Sequence, residues 1–171
     1  MTNKFCILQV DDDRNDWFFL EHAFRSVGIT YPLQIARDGQ EAIDYLSGTR
    51  EFADRRRFPL PCLVFLDLKM PRKDGFEVLA WIRKHSDLGR LTVIIFSSSR
   101  REHDIDRAYG LGANSFLVKP SKLQERLELA NHIKGYWLHF HQMVSPCSDL
   151  LSYASGRSTP STSRPLVSGV R

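Results

Sequence analysis

Short apolar runs alternate with amphipathic segments along most of this 171-residue chain. Five runs have the length and composition of buried strands, and in the segment after each one the apolar residues recur at helical spacing. The five runs are residues 5–10, 33–36, 62–66, 92–96 and 115–119. Strands that alternate with helices in this way predict an α/β fold, in which right-handed crossovers build a doubly wound, five-stranded parallel sheet with helices on both faces.

Local signals predict where several helices begin and end. Asn15 or Asp16 is expected to cap the first helix, and Asp74, with the glycine after it, the third. Residues 49–61 are irregular and charged and contain two prolines, which predicts a loop or an extended helix end. The last helix is predicted to span residues 122–142.

Polar residues stand at the ends of four of the five strands. They are Asp11, Asp12 and Asp13 after the first strand, Asp67 after the third, Ser97, Ser98 and Ser99 after the fourth, and Lys119 and Pro120 at the fifth. Because the carboxyl ends of parallel strands lie along one edge of the sheet, where such folds place their sites, we expect these residues to meet there.

The residues expected at this edge suit phosphoryl transfer. Carboxylates a few ångströms apart repel one another unless a cation neutralises them, and Mg²⁺ prefers oxygen ligands and keeps several waters, so that it can bridge a phosphoryl oxygen. Lys119 would provide a point charge for the phosphoryl group and Ser97 a hydrogen bond. Asp67 is then the nucleophile expected to form an aspartyl phosphate.

The charge and hydropathy of the chain disfavour nucleic-acid and membrane binding. The net charge of +4 and the pI near 9.1 come largely from arginines at residues 55–57, at 100–101 and near the C-terminus, and these clusters lack the interleaved aromatic residues of a nucleic-acid stacking surface. Solvated loops are therefore favoured. No apolar stretch approaches the roughly 20 residues of a membrane helix.

The cysteines indicate a reducing compartment. Cys6, Cys62 and Cys147 form an odd set without a recognisable signal peptide, which predicts reduced thiols and a cytoplasmic location. Cys6 and Cys62 lie in predicted strands, where a role as small core side chains is favoured over a redox pair.

The strand-end residues and the sequences around them resemble the receiver domain of two-component response regulators. The segments that carry the resemblance are ILQVDDD, ARDGQEAIDYL, FLDLKMPRKDGFEVL, VIIFSSS and NSFLVKP. The resemblance covers residues 4–143 and implies the flavodoxin-like receiver fold with strand order 2-1-3-4-5. Residues 144–171 are rich in Ser, Thr, Pro, Gly and Arg, which predicts a disordered tail.

By this resemblance, Asp67 is the phospho-acceptor and the donor is a sensor histidine kinase. The implied ligands of Mg²⁺ are Asp12, Asp67 and the backbone carbonyl of Lys69, with Asp11 acting mostly through water. The Lys69 side chain, two residues after the acceptor, can touch the phosphoryl site and tune dephosphorylation. Asp13 is expected to be a helix cap or a solvated acid, in preference to a third acidic ligand after the first strand.

The resemblance also assigns residues of the fourth and fifth strands. Ser97 matches the switch serine or threonine, Lys119 the lysine that contacts the phosphoryl group, and Phe116 the aromatic residue whose rotamer reports phosphorylation. Ser99 occupies a tuning position similar to that of Lys69. The peptide bond between Lys119 and Pro120 matches one that is usually cis in the family.

A narrower resemblance comes from the long segment before the third strand, SGTREFADRRRFPLP. It is similar to stand-alone regulators that partner bacterial phytochromes and related sensor kinases. In those relatives the face made by the fourth helix, fifth strand and fifth helix often forms a homodimer. Core packing and a dimer or partner surface are equal interpretations of Tyr136, Trp137 and Phe140 near the end of the last helix.

A phosphorylation-dependent switch is the function that these residues favour, with output through another, unidentified protein. Such a module is not an enzyme beyond its own phosphotransfer and dephosphorylation. A phosphatase of the aspartyl phosphate class is disfavoured because Lys69 stands where that class has a second Asp, and the glycine patterns of nucleotide-binding loops are missing. The remaining alternative is a receiver-like interaction domain that works without phosphorylation.

Overall fold

In the computed structural model, which describes residues 6–140, five parallel strands alternate with five α-helices. The strands are Cys6–Val10 (β1), Leu33–Ala36 (β2), Pro61–Leu66 (β3), Thr92–Ser97 (β4) and Ser115–Val118 (β5). The helices are Arg14–Ser26 (α1), Gly39–Ser47 (α2), Gly75–Lys84 (α3), Glu102–Gly110 (α4) and Leu123–Ile133 (α5). The strands pair in the order β2-β1-β3-β4-β5, all in parallel, so the predicted fold class and strand order are confirmed.

The central strand β3 is buried on both of its faces. Val64 and Leu66 belong to the apolar cluster that the sheet forms with α2, α3 and α4. Leu63 and Phe65 belong to the cluster on the opposite face, formed with α1 and α5. A strand with helices on both sides needs apolar residues at every position, which explains the unbroken apolar run before Asp67.

Three of the five helices, α1, α2 and α3, begin at side-chain caps. The Asp13 carboxylate accepts a hydrogen bond from the Asn15 N–H at 2.8 Å, so Asp13 caps α1. This confirms the interpretation of Asp13 as a helix cap, and the expectation of a cap at Asn15 or Asp16 was wrong. Asp74 and Glu77 exchange hydrogen bonds of 2.8 and 2.9 Å in a capping box that opens α3, as predicted for Asp74.

The connection between α2 and β3 is packed against the domain. It contains a 3₁₀ turn at Arg50–Ala53, and the Arg55 guanidinium donates to the carbonyls of Tyr45 and Leu46 at 2.8 and 2.7 Å. A further hydrogen bond joins Arg55 to the Phe58 carbonyl at 3.3 Å. The prediction of a solvated loop was therefore wrong for Arg55, because its guanidinium closes the C-terminal end of α2.

The described part of the chain ends in a π-helical segment, Lys134–Phe140, that continues α5. No helix within residues 6–140 is both long enough and apolar enough to cross a bilayer. Cys6 and Cys62 are buried free thiols, as predicted, and burial raises the pKa of Cys6 to about 11. The predicted tail at residues 144–171, which includes Cys147, lies outside the described residues.

Candidate functional site

Backbone hydrogen bonds extend the sheet past its strand ends and position two of the predicted site residues. The Asp67 N–H donates to the Val10 carbonyl at 2.9 Å, and the Lys119 N–H donates to the Ser97 carbonyl at 2.9 Å. Asp67 is therefore held beside the end of β1, where Asp11 follows. Lys119 follows β5 and is held beside the end of β4.

Three carboxylates gather at this edge of the sheet. One oxygen from each of Asp11, Asp12 and Asp67 lies within 4.8 Å of the others. Asp11 and Asp67 are buried, and Asp12 is exposed to solvent. This set of hard oxygen donors, open to water on one side, fits a divalent cation such as Mg²⁺. The Lys69 carbonyl as a ligand and the water-mediated role of Asp11 stay predictions.

The Lys119 ammonium lies among carboxylates. Its Nζ is 2.8 Å from Oδ2 of Asp11, 2.9 Å from Oδ2 of Asp67 and 2.8 Å from Oδ2 of Asp16. Burial opposes the charge, but the Asp11 and Asp67 carboxylates outweigh it and raise the pKa of Lys119 above its ordinary value. The lysine is therefore a fixed positive charge beside the predicted phospho-acceptor.

The predicted phospho-acceptor has a different environment at each carboxylate oxygen. Oδ1 of Asp67 accepts the Leu68 N–H at 2.6 Å and the Lys69 N–H at 3.4 Å. Oδ2 accepts from Lys119 at 2.9 Å. These contacts orient the carboxylate. Lys69 itself is exposed, and the tuning role of its side chain stays a prediction.

Asp11 is the most buried member of the carboxylate group, with 1% of its surface exposed. Burial raises the pKa of Asp11 to about 6, and the repulsion from Asp67 adds to this, although Lys119 and the Asp13 N–H act in the opposite direction. The Trp17 indole N–H also donates to the Asp11 backbone carbonyl at 2.7 Å. A cation among the three carboxylates would favour the ionised form of Asp11 and so oppose this rise in its pKa.

Ser97 and Ser99 are both buried and lie in one chain of hydrogen bonds. The Ser97 hydroxyl accepts the Ser99 N–H at 3.4 Å, and the Ser99 hydroxyl donates to Oδ2 of Asp104 at 2.5 Å. The Ser99 hydroxyl is also the main reason why the pKa of Asp104 is lowered. The residue predicted to tune the site is thus bonded to the first turn of α4, and this tuning role stays a prediction.

Phe116 lies in β5 and packs, half-buried, against the apolar cluster on the α2, α3 and α4 face. The Tyr109 hydroxyl of α4 accepts the Phe116 N–H at 3.2 Å. Its role as a switch residue stays a prediction.

The prediction of a cis peptide bond before Pro120 was wrong. No peptide bond within residues 6–140 is cis, so the bond between Lys119 and Pro120 is trans. The tertiary amide before proline still favours trans by about 0.5–1 kcal/mol, and a lysine-proline pair has no local signal that overrides this preference.

Two charged residues of the site were missed as functional candidates. Asp16 lies in the first turn of α1 and contacts Lys119, and Arg126 of α5 lies 3.8 Å from Oδ1 of Asp16. The available signal was the spacing of Asp16 from Asp11. The first turn of a helix that begins just after a strand-end acid lies at the same edge of the sheet as that acid. That signal was interpreted as a helix cap.

The loop after Asp67 is held by a glycine and by an ion pair. A Cβ on Gly75 would clash with the Asp67 carbonyl, so α3 can start against the end of β3 only with glycine at this position. Arg72 pairs with the buried Asp38 carboxylate, which also caps α2. These contacts fix the loop that carries Lys69.

Comparisons with known proteins agree on one family. The family model of the response regulator receiver domain matches residues 7–131. The response regulator Rcp1 of Synechocystis sp. is 34% identical over 132 residues, which are 77% of this chain and 88% of that protein. The probable methanogenesis regulatory protein FilR2 of Methanothrix harundinacea is 34% identical over 144 residues, 84% of this chain and 90% of that protein.

Solved structures are similar over the same region. The Mn²⁺-bound form of Rcp1 has a TM-score of 0.75 at 32% identity, with 82% of this chain and 99% of that chain covered. The phosphorylated cyanobacterial phytochrome response regulator RcpA has a TM-score of 0.76 at 32% identity, with the same coverage of 82% and 99%.

Proposed function

This chain belongs to the response regulator receiver family, and from that membership we propose that it is a phosphorylation-dependent switch of a two-component system. Asp67 accepts a phosphoryl group from the phosphohistidine of a sensor histidine kinase. The observation that carries this proposal is the position of Asp67, which shares the carboxylate group with Asp11 and Asp12 and has its Oδ2 2.9 Å from Nζ of Lys119.

In the proposed transfer, a carboxylate oxygen of Asp67 attacks the phosphorus atom. A P–O bond forms as the P–N bond to the histidine breaks, and the electron pair of that bond returns to the imidazole nitrogen, which takes a proton from solvent. Mg²⁺, when bound at the three carboxylates, supplies positive charge against the phosphoryl oxygens. The backbone N–H of Leu68, 2.6 Å from Oδ1 of Asp67, keeps the nucleophile oriented.

Two further side chains would stabilise the charge on the phosphoryl group. The Lys119 ammonium already lies at the acceptor carboxylate, and its contact there would pass to a phosphoryl oxygen. The buried Ser97 hydroxyl at the end of β4 would donate to another oxygen.

The switch in this proposal starts at the same hydroxyl. When Ser97 turns to the phosphoryl group, its contact with the Ser99 N–H is lost, and Ser99 is bonded to Asp104 in α4. Phe116 would change rotamer beneath the same helix. These changes shift the equilibrium of the face formed by α4, β5 and α5, on which Tyr109 and Leu123 are exposed.

The proposal includes a class of partner and a location. A phytochrome-like sensor kinase is the favoured donor, which the similarity to the cyanobacterial phytochrome regulator RcpA supports. The face of α4, β5 and α5 would then bind a second copy or a downstream protein. We place the reaction in the cytoplasm, and we assign the chain no catalytic activity beyond its own phosphorylation and dephosphorylation.

The test uses a small acyl phosphate as donor. Incubation with Mg²⁺ should give a labile phosphoryl adduct in the intact mass of the wild-type protein, and chelation of Mg²⁺ should prevent it. Asp67→Asn should form no adduct, because an amide cannot replace the carboxylate nucleophile.

A matched control is Asp13→Asn, which alters the neighbouring acid that caps α1 and keeps a side chain suited to capping. This variant should be phosphorylated like the wild type. A wild-type protein that forms no adduct would favour the phosphorylation-independent interaction domain. An adduct that persists in Asp67→Asn would contradict Asp67 as the phospho-acceptor.

A further inference from the structure

Lys119 is bound by carboxylates of two kinds. Asp11 and Asp67 belong to the group whose oxygens lie within 4.8 Å of one another and which fits a divalent cation. Asp16 does not belong to that group, yet its Oδ2 lies 2.8 Å from Nζ of Lys119, as close as that of Asp11. The ammonium therefore has one carboxylate partner, Asp16, that lies outside the group expected to bind a divalent cation.

Asp16 is itself held from α5. Its Oδ1 lies 3.8 Å from the guanidinium of Arg126, whose Nε donates to the Pro120 carbonyl at 2.8 Å. The same guanidinium lies over the ring of Phe19, 4.2 Å from the centroid. With 17% and 19% of their side chains exposed, Asp16 and Arg126 form a largely buried pair whose position is set by both helices.

We propose that Asp16 is a positioning residue that keeps the Lys119 ammonium beside Asp67 when a divalent cation occupies the carboxylate group. A cation there competes for the oxygens of Asp11 and Asp67 and repels the ammonium. Asp16 belongs to α1 and not to the carboxylate group that would hold the cation. The inference rests on the proposed function, because it concerns the lysine that would contact the phosphoryl group.

The direct test follows the exposure of Lys119 to an amine-acylating reagent. In Asp16→Asn, which preserves the size of the side chain, Lys119 should be labelled about tenfold faster than in wild type in the presence of Mg²⁺, the effect expected for loss of one charge-assisted hydrogen bond. In chelator, where Asp11 and Asp67 still hold the ammonium, the difference should be less than about twofold. Peptide masses report each lysine separately, and the exposed Lys84 of α3 serves as internal standard.

The dependence on Mg²⁺ separates positioning from a general loosening of the fold. A destabilised variant would expose Lys119 equally with and without metal, and that result would overturn the proposal, as would equal labelling of variant and wild type in Mg²⁺. Asp16→Glu, which restores the charge, should return the labelling rate to within about threefold of wild type. Glu125→Gln, which removes an exposed carboxylate of α5 paired with Lys122, should have no effect on Lys119.

Phosphorylation gives the functional arm of the test. With the acyl phosphate donor and saturating Mg²⁺, Asp16→Asn should form the Asp67 adduct about tenfold more slowly than wild type. Wild-type protein that forms no adduct would contradict the proposed function itself. Wild-type protein that forms the adduct, with Asp16→Asn as fast and its Lys119 as protected, would contradict only the role of Asp16.

Discussion

Lys119 is the residue on which the charges of the site converge. Its side chain is only 7% exposed, and carboxylates from β1, β3 and α1 surround its ammonium. A buried cation is tolerated because partners satisfy its donors, and loss of one partner leaves the rest of the cluster with unbalanced charge. The position of the Lys119 ammonium therefore depends on Asp16 as well as on Asp11 and Asp67.

Gln9 is an anomaly two residues before Asp11 in β1. It is 1% exposed, and neither of its amide atoms has a hydrogen-bond partner within residues 6–140. Gln9→Leu should raise the free energy of unfolding by about 1–3 kcal/mol, because it removes a buried polar group without a partner and keeps a similar volume. Denaturant unfolding measures the change.

Gln9→Glu supplies the opposite control. Position 9 lies opposite Phe65 on the neighbouring strand, so a carboxylate there would be buried in an apolar layer. The substitution should lower the free energy of unfolding. If Gln9→Leu were less stable than wild type, the Gln9 amide would have to form hydrogen bonds in solution. The fold would then require a polar side chain at this buried position.

Among the elements, the connection between α2 and β3 depends on one guanidinium. Arg55→Met should lower the free energy of unfolding by about 1–3 kcal/mol, because three carbonyls lose their donor. Thermal or denaturant unfolding tests this. The phosphorylation site should keep its activity in the folded variant, since this connection lies outside the carboxylate group.

The neighbouring Arg56 is the matched control. Its side chain is 95% exposed and pairs only loosely with Asp54, at 3.6 Å. Arg56→Met should change stability by less than about 1 kcal/mol, the range of exposed ion pairs. Equal effects of the two substitutions would mean that Arg55 does not close α2 in solution.

For the molecule as a whole, metal binding should be coupled to folding and to pH. Mg²⁺ binds ionised carboxylates, and a ligand at a hundred times its dissociation constant adds about 2.7 kcal/mol to stability. Burial raises the pKa of Asp11 to about 6, so this acid is ionised above that pH and protonated below it. The stabilisation by Mg²⁺ should therefore be large at about pH 7.5. Below about pH 6 the apparent affinity for Mg²⁺ should fall by roughly tenfold per pH unit, and the stabilisation should fall with it.

The measurement is thermal unfolding with and without Mg²⁺ at about pH 7.5 and at a pH about one unit below 6. Asp12→Asn should abolish the Mg²⁺ effect at both, because it removes a ligand. A stabilisation that is independent of pH would show that Asp11 does not titrate in this range, and no stabilisation at neutral pH would contradict the metal site.

The parts of the fold and site that could be predicted are those set by local pattern. Five apolar runs with helices between them specify a parallel sheet, and the last residues of each run then share one edge, which is how Asp11, Asp67 and Lys119 were found before the structure. Helix caps were harder. Asp13, Asn15 and Asp16 are all suitable caps, and only the path of the chain into α1 selects Asp13.

By itself, then, the sequence determined the α/β class, the central position of β3 and the chemical composition of the carboxyl edge, because burial periodicity and strand ends are local properties of the chain. The tertiary structure decided which charges meet there. Asp16 and Lys119 are 103 residues apart in sequence, and their contact depends on how α1 packs beside α5. The same holds for Arg55 at the end of α2, since side-chain direction and helix packing are set only when the layers come together.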